Sequence, residues 1–524
     1  MMICRRHFIR TGTAGALGWC LADRWIRPLD LAGFGGASVL PRATPESQGV
    51  ASAAISAFVR AANDSGIQWH SFMLMRHGQV IAEAWWKPFD PGYKHTLYSL
   101  SKSFTSTAIG FLVKEKKISV DDPVTSFFQA ELPSVVSDNL AKMKVRHLLT
   151  MNTGHGDDTM PALRAAKDNW VRTFLAQPVT FEPGSHFLYN TGATYMLGAI
   201  VYKVTGDLLE DFLRSRLFKP LGISGYDWER SPDGLNTAGY GLRVKTEDIA
   251  RFGQFYLQQG KWDGRELLPA AWIDEATRRQ TDSQAGDGDW SQGYGYQFWR
   301  CKPGFYRGDG AYGQYCVVMP AQDAVLAITS ESWNMQQSMT IAWEHLLPAM
   351  QESPLPENAS GLATLRGELS RLTLPVVKGL PSTPLAARYN GKKFAVASND
   401  FGVDELTFRF LPEGCRLILS KGKAETTIQC GWSKWFTNPG SDPYWFAPSG
   451  RNNVPSKIAG TATWVSSDTL QLNLRFVEAI HGDQLSVQFN KDALELRFLN
   501  SVSENVKNNP ETRVALTATL QERK

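Results

Sequence analysis

Ser99 and Lys102 stand three residues apart in Tyr98-Ser99-Leu100-Ser101-Lys102-Ser103-Phe104. On a helix that spacing projects a hydroxyl and an amine from one face, about one turn apart. A serine hydroxyl is a poor nucleophile at neutral pH and needs a base within hydrogen-bond reach as it attacks. Lysine can be that base only if burial or neighbouring positive potential lowers its pKa from about 10.4, and a helix N-terminus acts in that direction. The chemistry on offer is acyl transfer through a serine ester. The spacing alone is not rare, because about two S-x-x-K matches arise by chance in a chain this long. Ser420-Lys421-Gly422-Lys423, on a predicted turn, is one of them.

Context separates Ser99 from that background. Leu100, Phe104, Ala108, Phe111 and Leu112 recur at helical spacing, which predicts a helix from about Ser99 to Glu115 with one buried stripe. Ser71 to Met75 and Gln79 to Trp86 read as strands joined at His77-Gly78, a hairpin signal. Asp248 to Leu257 reads as a second amphipathic helix. Two proline-rich runs, Ser353-Pro354-Leu355-Pro356 and Pro381-Ser382-Thr383-Pro384, bracket a weakly patterned segment expected to be a linker over 351–384. Beyond it, Leu406 to Phe410, Arg416 to Leu419, Thr461 to Val465, Leu470 to Phe476, Leu485 to Phe489 and Leu494 to Phe498 alternate like strands. They predict an all-β, barrel-like or sandwich domain of about 140 residues, 385–524.

The 524 residues carry a formal charge of +4 and are 43% hydrophobic and 20% charged, which excludes bulk disorder and gives no compositional case for nucleic acid. The nine His are scattered, with no H-E-x-x-H and no paired C-x-x-C, so no metal or other cofactor is expected. Cys4-Arg5-Arg6-His7-Phe8-Ile9-Arg10, followed by a mild, glycine-interrupted apolar stretch, resembles a twin-arginine export signal over 1–36. The expected location is periplasmic or secreted; the plainer alternative is a basic start on a cytosolic enzyme. No window reaches the roughly 20 apolar residues of a membrane span. Trp19 argues against lipid attachment at Cys20. Four further cysteines stay open to two readings. Cys415 and Cys430 would face each other across a hairpin centred at Gly422-Lys423, and Cys301 and Cys316 are symmetric about the turn-like Gly308-Asp309. Each pair is either a cross-strand disulfide or two buried thiols.

Three later segments follow Ser99 in order: Val145-Arg146-His147-Leu148-Leu149-Thr150-Met151-Asn152-Thr153-Gly154, Pro183-Gly184-Ser185-His186-Phe187-Leu188-Tyr189-Asn190-Thr191-Gly192, and Gly310-Ala311-Tyr312-Gly313-Gln314-Tyr315. With the S-x-x-K element they resemble the penicillin-recognising serine hydrolases, the superfamily of class C beta-lactamases, DD-peptidases and esterases, over about residues 42–350. The resemblance implies an α/β domain of the α+β type, an antiparallel sheet flanked by helices. It makes Ser99 the acylated nucleophile, Lys102 its partner, and Tyr189 a second general base that later returns a proton to the leaving group. The backbone N–H groups of Ser99 and Gln314 become the oxyanion hole, with Gly313, Tyr312 and Asn190 beside the substrate.

The departures from that pattern shape the expected substrate. Asn190 directly follows Tyr189, whereas the lactamase pattern is Tyr-x-Asn. Ala311-Tyr312-Gly313 lacks the lysine that helps hold a substrate carboxylate, for which Arg243, Arg300 and Arg307 are the candidate replacements. The expectation is a hydrolase of small esters or amides; the alternatives are a beta-lactamase or D-Ala-D-Ala carboxypeptidase acting on a cell-wall peptide, or a catalytically weak ligand-binding protein. Ser137-Asp138-Asn139 is expected to be a turn or cap, Arg307-Gly308-Asp309 a tight turn, and His155 with Asp157-Asp158 a solvated loop. Trp432, Trp435, Tyr444 and Trp445 are expected in the barrel core.

Overall fold

The expected hairpin is formed by β1 (Gln68–Arg76) and β2 (Gln79–Trp85) in the computed structural model, which describes residues 39–380, 382–441 and 456–521. His77 (φ 48°) and Gly78 (φ 73°) both take the left-handed conformation that suits a two-residue hairpin turn. β3 (Trp299–Arg300), β4 (Tyr306–Gly310), β5 (Gln314–Met319) and β6 (Ala324–Glu331) complete a six-stranded sheet in the order β2-β1-β6-β5-β4-β3. Every neighbouring pair is antiparallel.

Alternate residues of this sheet enter two cores. Met73, Met75, Val318, Val325 and Ala327 pack with α2 (Ser101–Lys114), α3 (Thr191–Thr205) and α4 (Thr246–Leu257). Phe72, Leu74, Val317, Leu326 and Ile328 pack with α1 (Ser52–Asp64) and α5 (Met335–His345). Because helices cover both faces, β1 and β6 read as continuous apolar runs rather than the polar alternation of a half-exposed sheet. Burial of one such Leu, Phe or Met contributes roughly 1.5–3 kcal/mol.

The C-terminal strands are β7 (Lys393–Val396), β8 (Glu405–Leu411), β9 (Gly414–Lys421), β10 (Ala424–Trp432), β11 (Phe436–Ser441), β12 (Lys457–Trp464), β13 (Thr469–Phe476), β14 (Gly482–Asn490), β15 (Ala493–Asn500) and β16 (Leu516–Leu520). Their order is β10-β9-β8-β7-β16-β15-β14-β13-β12-β11, and a parallel pairing of Gly431 with Thr461 and Trp432 with Ala462 closes nine of them into a barrel. Leu470, Leu472, Leu485, Val487, Leu494 and Leu496 alternate into its core. Cys415 and Cys430 stand directly opposite, as the Gly422-Lys423 hairpin predicts, and both are free and buried. Burial pushes the Cys430 thiol up to about 12.

Other expectations are corrected. Arg307-Gly308-Asp309 is strand, not turn, because the reversal lies at Ala311 to Gly313. Cys316 therefore faces Gly308, while Cys301 accepts a contact from Arg307, so those two thiols do not form a pair. The 351–384 segment contains a helix, α6 (Ala359–Ser370), and its Leu365, Leu372 and Leu374 enter the core shared with α1. Ala459 and Val477 of the barrel join the same core, and Ala37 to Lys524 cohere as one unit. The 1–36 leader, Tyr444 and Trp445 lie outside the described residues. No described helix is long and apolar enough to cross a membrane.

Ending the chain at Met350 would strip that shared core and leave the buried Glu331 without Arg475, His481 and Ser501. Loss of a buried carboxylate's partners costs several kcal/mol. Circular dichroism should find the truncated chain melting about 10 °C or more below the full chain, or without a cooperative transition. An unchanged melt would show that the barrel is dispensable for stability.

Candidate active site

The turn that carries Ser99 starts from a two-residue strand, His95–Thr96, and runs through Leu97 into a 3-10 turn, Tyr98–Leu100, that feeds α2. Tyr98 is left-handed at φ 46°, an uncommon state for a bulky residue that directs the following Ser99 out of the helix axis. Strand β4 lies against this turn at Gly310. A Cβ there would come within 2.0 Å of the Leu97 carbonyl oxygen and 3.1 Å of the Ser99 nitrogen, so only glycine lets the sheet approach Ser99.

Lys102, one turn into the helix, is fully buried. Its Nζ lies 3.0 Å from Ser99 Oγ, 2.8 Å from the Gly239 carbonyl and 3.4 Å from Thr191 Oγ1. Burial in this setting pulls its pKa down to about 7, with Asp158 and Asp309 opposing the shift and Arg164 adding to it. A neutral amine has two N–H groups and one lone pair. Gly239 and Thr191 can accept the two N–H groups, which leaves the lone pair facing Ser99 Oγ.

Tyr189 stands just before Asn190, the N-cap of α3, so the start of that helix fixes its position. Its phenol is close enough to Ser99 for the two to interact, and Lys102 Nζ lies 4.9 Å from its ring centre. Trp299 stacks on the ring at 5.5 Å and Tyr294 meets it edge-on at 6.1 Å. Burial and then the Asp309 charge push the phenol well above its ordinary value. Tyr189 is therefore a protonated phenol at neutral pH, and the titration of Lys102 makes the amine, not the phenolate, the available base.

Ser99, Lys102 and Tyr189 converge, as expected. The third segment forms the hairpin between β4 and β5, with Tyr312 (φ 66°) and Gly313 (φ 89°) both left-handed. The Gln314 backbone pairs with Gly310 beside the turn that carries Ser99, while its side chain turns inward to the Ala311 and Ser330 carbonyls. Asn190 is different. It is fully buried, its Oδ1 accepts from Thr159 Oγ1 (2.8 Å) and Gly192 N (3.1 Å), and its Nδ2 faces Thr153 and His155. Its side chain is a helix cap beneath the site, not a substrate contact, because capping consumes the acceptor.

The arginines considered as carboxylate holders are also committed. Arg243 grips Asp227 with two bonds at 2.6 and 2.8 Å, Arg300 donates to the Thr277 and Gly304 carbonyls, and Arg307 is buried against Asp309 at 2.9 Å. Ser137 caps a short helix by accepting from Leu140 N, as expected. His155 is buried rather than solvated, and Asp158 accepts from Met160 N and Thr191 N, which places its charge near Lys102. Sequence reasoning missed Gly239 and Asp309. Gly239 reaches the site only through the packing of a distant segment, while Asp309 directly precedes the Gly310 to Tyr315 segment and was passed over as part of a turn.

An antiparallel sheet with helices on both faces and a serine-lysine-tyrosine cluster at its edge defines the class of the molecule. A family model described as Beta-lactamase matches residues 53–351, and the chain belongs to that family. It is 26% identical over 286 residues to the 6-aminohexanoate-dimer hydrolase of Paenarthrobacter ureafaciens, covering 50% of this chain and 72% of that protein. A beta-lactamase of Escherichia coli (strain K12) is 24% identical over 238 residues, 41% of this chain and 60% of that protein. The solved structure "Putative 6-aminohexanoate-dimer hydrolase from Bacillus anthracis" shares the fold, with a TM-score of 0.52, 21% identity, and coverage of 62% of this chain and 90% of that one.

Lys102→Met should separate chemistry from stability. Loss of the base should slow acylation about a thousandfold. Removing a buried amine should stabilise the fold by about 1–3 kcal/mol. The folded site releases the lysine proton near 7 and the unfolded chain near 10.5, so the unfolded state binds more protons in between. Stability of the parent therefore rises with pH across that window, and the Met variant should lose this rise in melts taken at several pH values.

Proposed function

We propose that this chain is a serine hydrolase that cleaves small esters or amides through an acyl-enzyme on Ser99. The observation that carries the reading is the buried Lys102 amine, 3.0 Å from Ser99 Oγ and drawn down to about 7. In the forward step the Ser99 proton passes to the Lys102 lone pair as Oγ bonds to the substrate carbonyl carbon. The carbonyl oxygen becomes an oxyanion facing the Ser99 and Gln314 N–H groups. Collapse breaks the bond to the leaving oxygen or nitrogen, which takes a proton by way of the Tyr189 phenol, replenished from Lys102. Water then repeats the sequence on the acyl-enzyme and releases the acid.

The preference for substrates without a carboxylate rests on charge. The third segment supplies no lysine, and Arg243, Arg300 and Arg307 are each engaged elsewhere. A buried or paired cation cannot also bind a substrate anion without breaking its existing contacts. Amide cleavage is supported by the 6-aminohexanoate-dimer hydrolase relative. Lactam or D-Ala-D-Ala cleavage is the competing outcome, supported by the Escherichia coli beta-lactamase relative.

A fluorophosphonate probe should label the full chain on Ser99, with labelling abolished in Ser99→Ala and its rate rising with pH to a plateau above about 7. Absence of labelling would leave a ligand-binding protein. Turnover of a p-nitrophenyl ester should exceed that of a chromogenic cephalosporin, and the reverse order would favour the lactamase reading.

Export belongs to the same proposal and rests on the Arg5-Arg6 start. Changing both residues, Arg5→Lys with Arg6→Lys, should shift the expressed protein from the periplasmic to the cytoplasmic fraction. An unaltered distribution would remove the twin-arginine assignment.

A further inference from the structure

A side chain of the barrel reaches the turn that carries Ser99. His481 lies in the connection between β13 and β14, and its Nε2 is 3.0 Å from the Tyr98 hydroxyl. Its Nδ1 is 2.8 Å from Oε1 of Glu331, the last residue of β6 and fully buried. Arg475 Nη1 approaches the other carboxylate oxygen at 3.3 Å, and Ser501 Oγ donates to Oε1. Arg475 and Ser501 also belong to the barrel.

These partners fix the imidazole's tautomer. Despite burial, contacts with His481, Arg475 and Ser501 hold Glu331 below its ordinary value, so it is a carboxylate. A carboxylate only accepts, which places a proton on Nδ1 of His481. In the neutral ring Nε2 then offers a lone pair, and the Tyr98 hydroxyl donates to it. A histidine oriented by a carboxylate and acting on a third group at its other nitrogen is a rigid strut.

What the strut touches is specific. Tyr98 and Tyr312 are non-glycine residues in the left-handed region, at φ 46° and 66°, one immediately before Ser99 and the other in the turn between β4 and β5. Such a conformation is unfavourable for a side chain with a Cβ, and surrounding contacts must hold it. The His481 ring meets Tyr312 edge-on at 4.6 Å and Tyr98 at 6.2 Å, and the two tyrosines meet each other at 5.4 Å. Trp333 packs 5.0 Å from the Tyr312 ring and stacks 6.3 Å from the His481 ring. Tyr98 immediately precedes Ser99, and Tyr312 stands two residues before Gln314, so these two residues set the direction of both proposed oxyanion donors.

We propose that His481 is a positioning residue for acyl transfer: the C-terminal barrel delivers it to clamp Tyr98 and Tyr312, and through them it aims the Ser99 and Gln314 N–H groups. The barrel is on this account a working part of the active site rather than an appended module. The proposal rests on the serine hydrolase reading above. It adds a residue more than 380 positions along the chain from the nucleophile, as the Tyr98 to His481 separation of 383 shows.

The test uses the full chain with His481→Ala, His481→Gln, Tyr98→Phe and the double variant His481→Ala with Tyr98→Phe. The readouts are the fluorophosphonate labelling rate, kcat and KM for p-nitrophenyl acetate, and the melting temperature. His481→Ala should lower kcat and the labelling rate together by about tenfold, the most that one neutral hydrogen bond supplies, with KM within about twofold. His481→Gln, which keeps an acceptor for Tyr98, should recover a substantial part of that loss. Tyr98→Phe should reproduce the loss, and the double variant should be no slower than the slower single one, because both changes remove the same contact. Tyr98→Phe leaves the Glu331 cluster intact, so it carries the test should His481→Ala fail to fold. Parent-like kcat and labelling in Tyr98→Phe, or losses that multiply in the double variant, would overturn the proposal. Failure of the parent chain itself to label would instead overturn the hydrolase reading.

Discussion

An amine buried against a serine hydroxyl is the constraint to which the rest of this molecule answers. Left as a charged ammonium, Lys102 would oppose folding, because desolvation penalises the ion more than its neighbours can repay. The fold meets that cost in two ways. It surrounds Nζ with the Gly239 carbonyl, Thr191 Oγ1 and Ser99 Oγ, and it lets the proton go near 7. The instability of the charge and the reactivity of the lone pair are one physical fact.

That fact dictates the packing around it. Lys102 is dry only because α2 is buried on every side along most of its length, between the sheet and α3. The serine is near the sheet only because Gly310 carries no side chain. The left-handed Tyr98 between strand and helix sets the exit of the chain toward Ser99. Glu331, at the far end of β6, ties the same sheet to Arg475, His481 and Ser501 of the barrel. An interface made of one buried carboxylate with several donors is directional, unlike apolar contact, and so transmits position as well as stability.

Much of this was legible in the sequence, for reasons that differ by element. The β1–β2 hairpin could be read because His77-Gly78 is a turn signal between apolar runs, and the barrel strands because one face of each is buried and the other is not. The helix α6 within 351–384 left no signal because, with only Leu365 of its residues buried, it carries almost no apolar stripe. Arg307-Gly308-Asp309 was misread because turn-like residues also occur in a strand when a glycine is needed for close approach, here of Gly308 to Leu100 and Ser103. Ser99, Lys102 and Tyr189 were legible through short ordered segments. Gly239 and His481 were not, since each enters by tertiary packing that leaves no local periodicity, and Asp309, next to the Gly310 to Tyr315 segment, was hidden by its turn-like neighbours.

Charge placement explains why the amine titrates near neutrality instead of far below it. Burial lowers the Lys102 pKa, and Arg164 adds to that effect, but Asp158 and Asp309 act in the opposite sense. Asp158 is held by two backbone N–H groups at the mouth, and Asp309 is paired with the buried Arg307. Because Asp309 sits in an ion pair, its field at Lys102 is partly cancelled and it can moderate the amine without capturing its proton. The same carboxylate raises the Tyr189 phenol. Burial, which lowers the amine and raises the phenol, pushes the two proton carriers around Ser99 apart, leaving an amine able to accept at neutral pH and a phenol able only to donate. That division of labour is what the proposed acyl transfer requires, first of a hydroxyl nucleophile and then of a departing alcohol or amine.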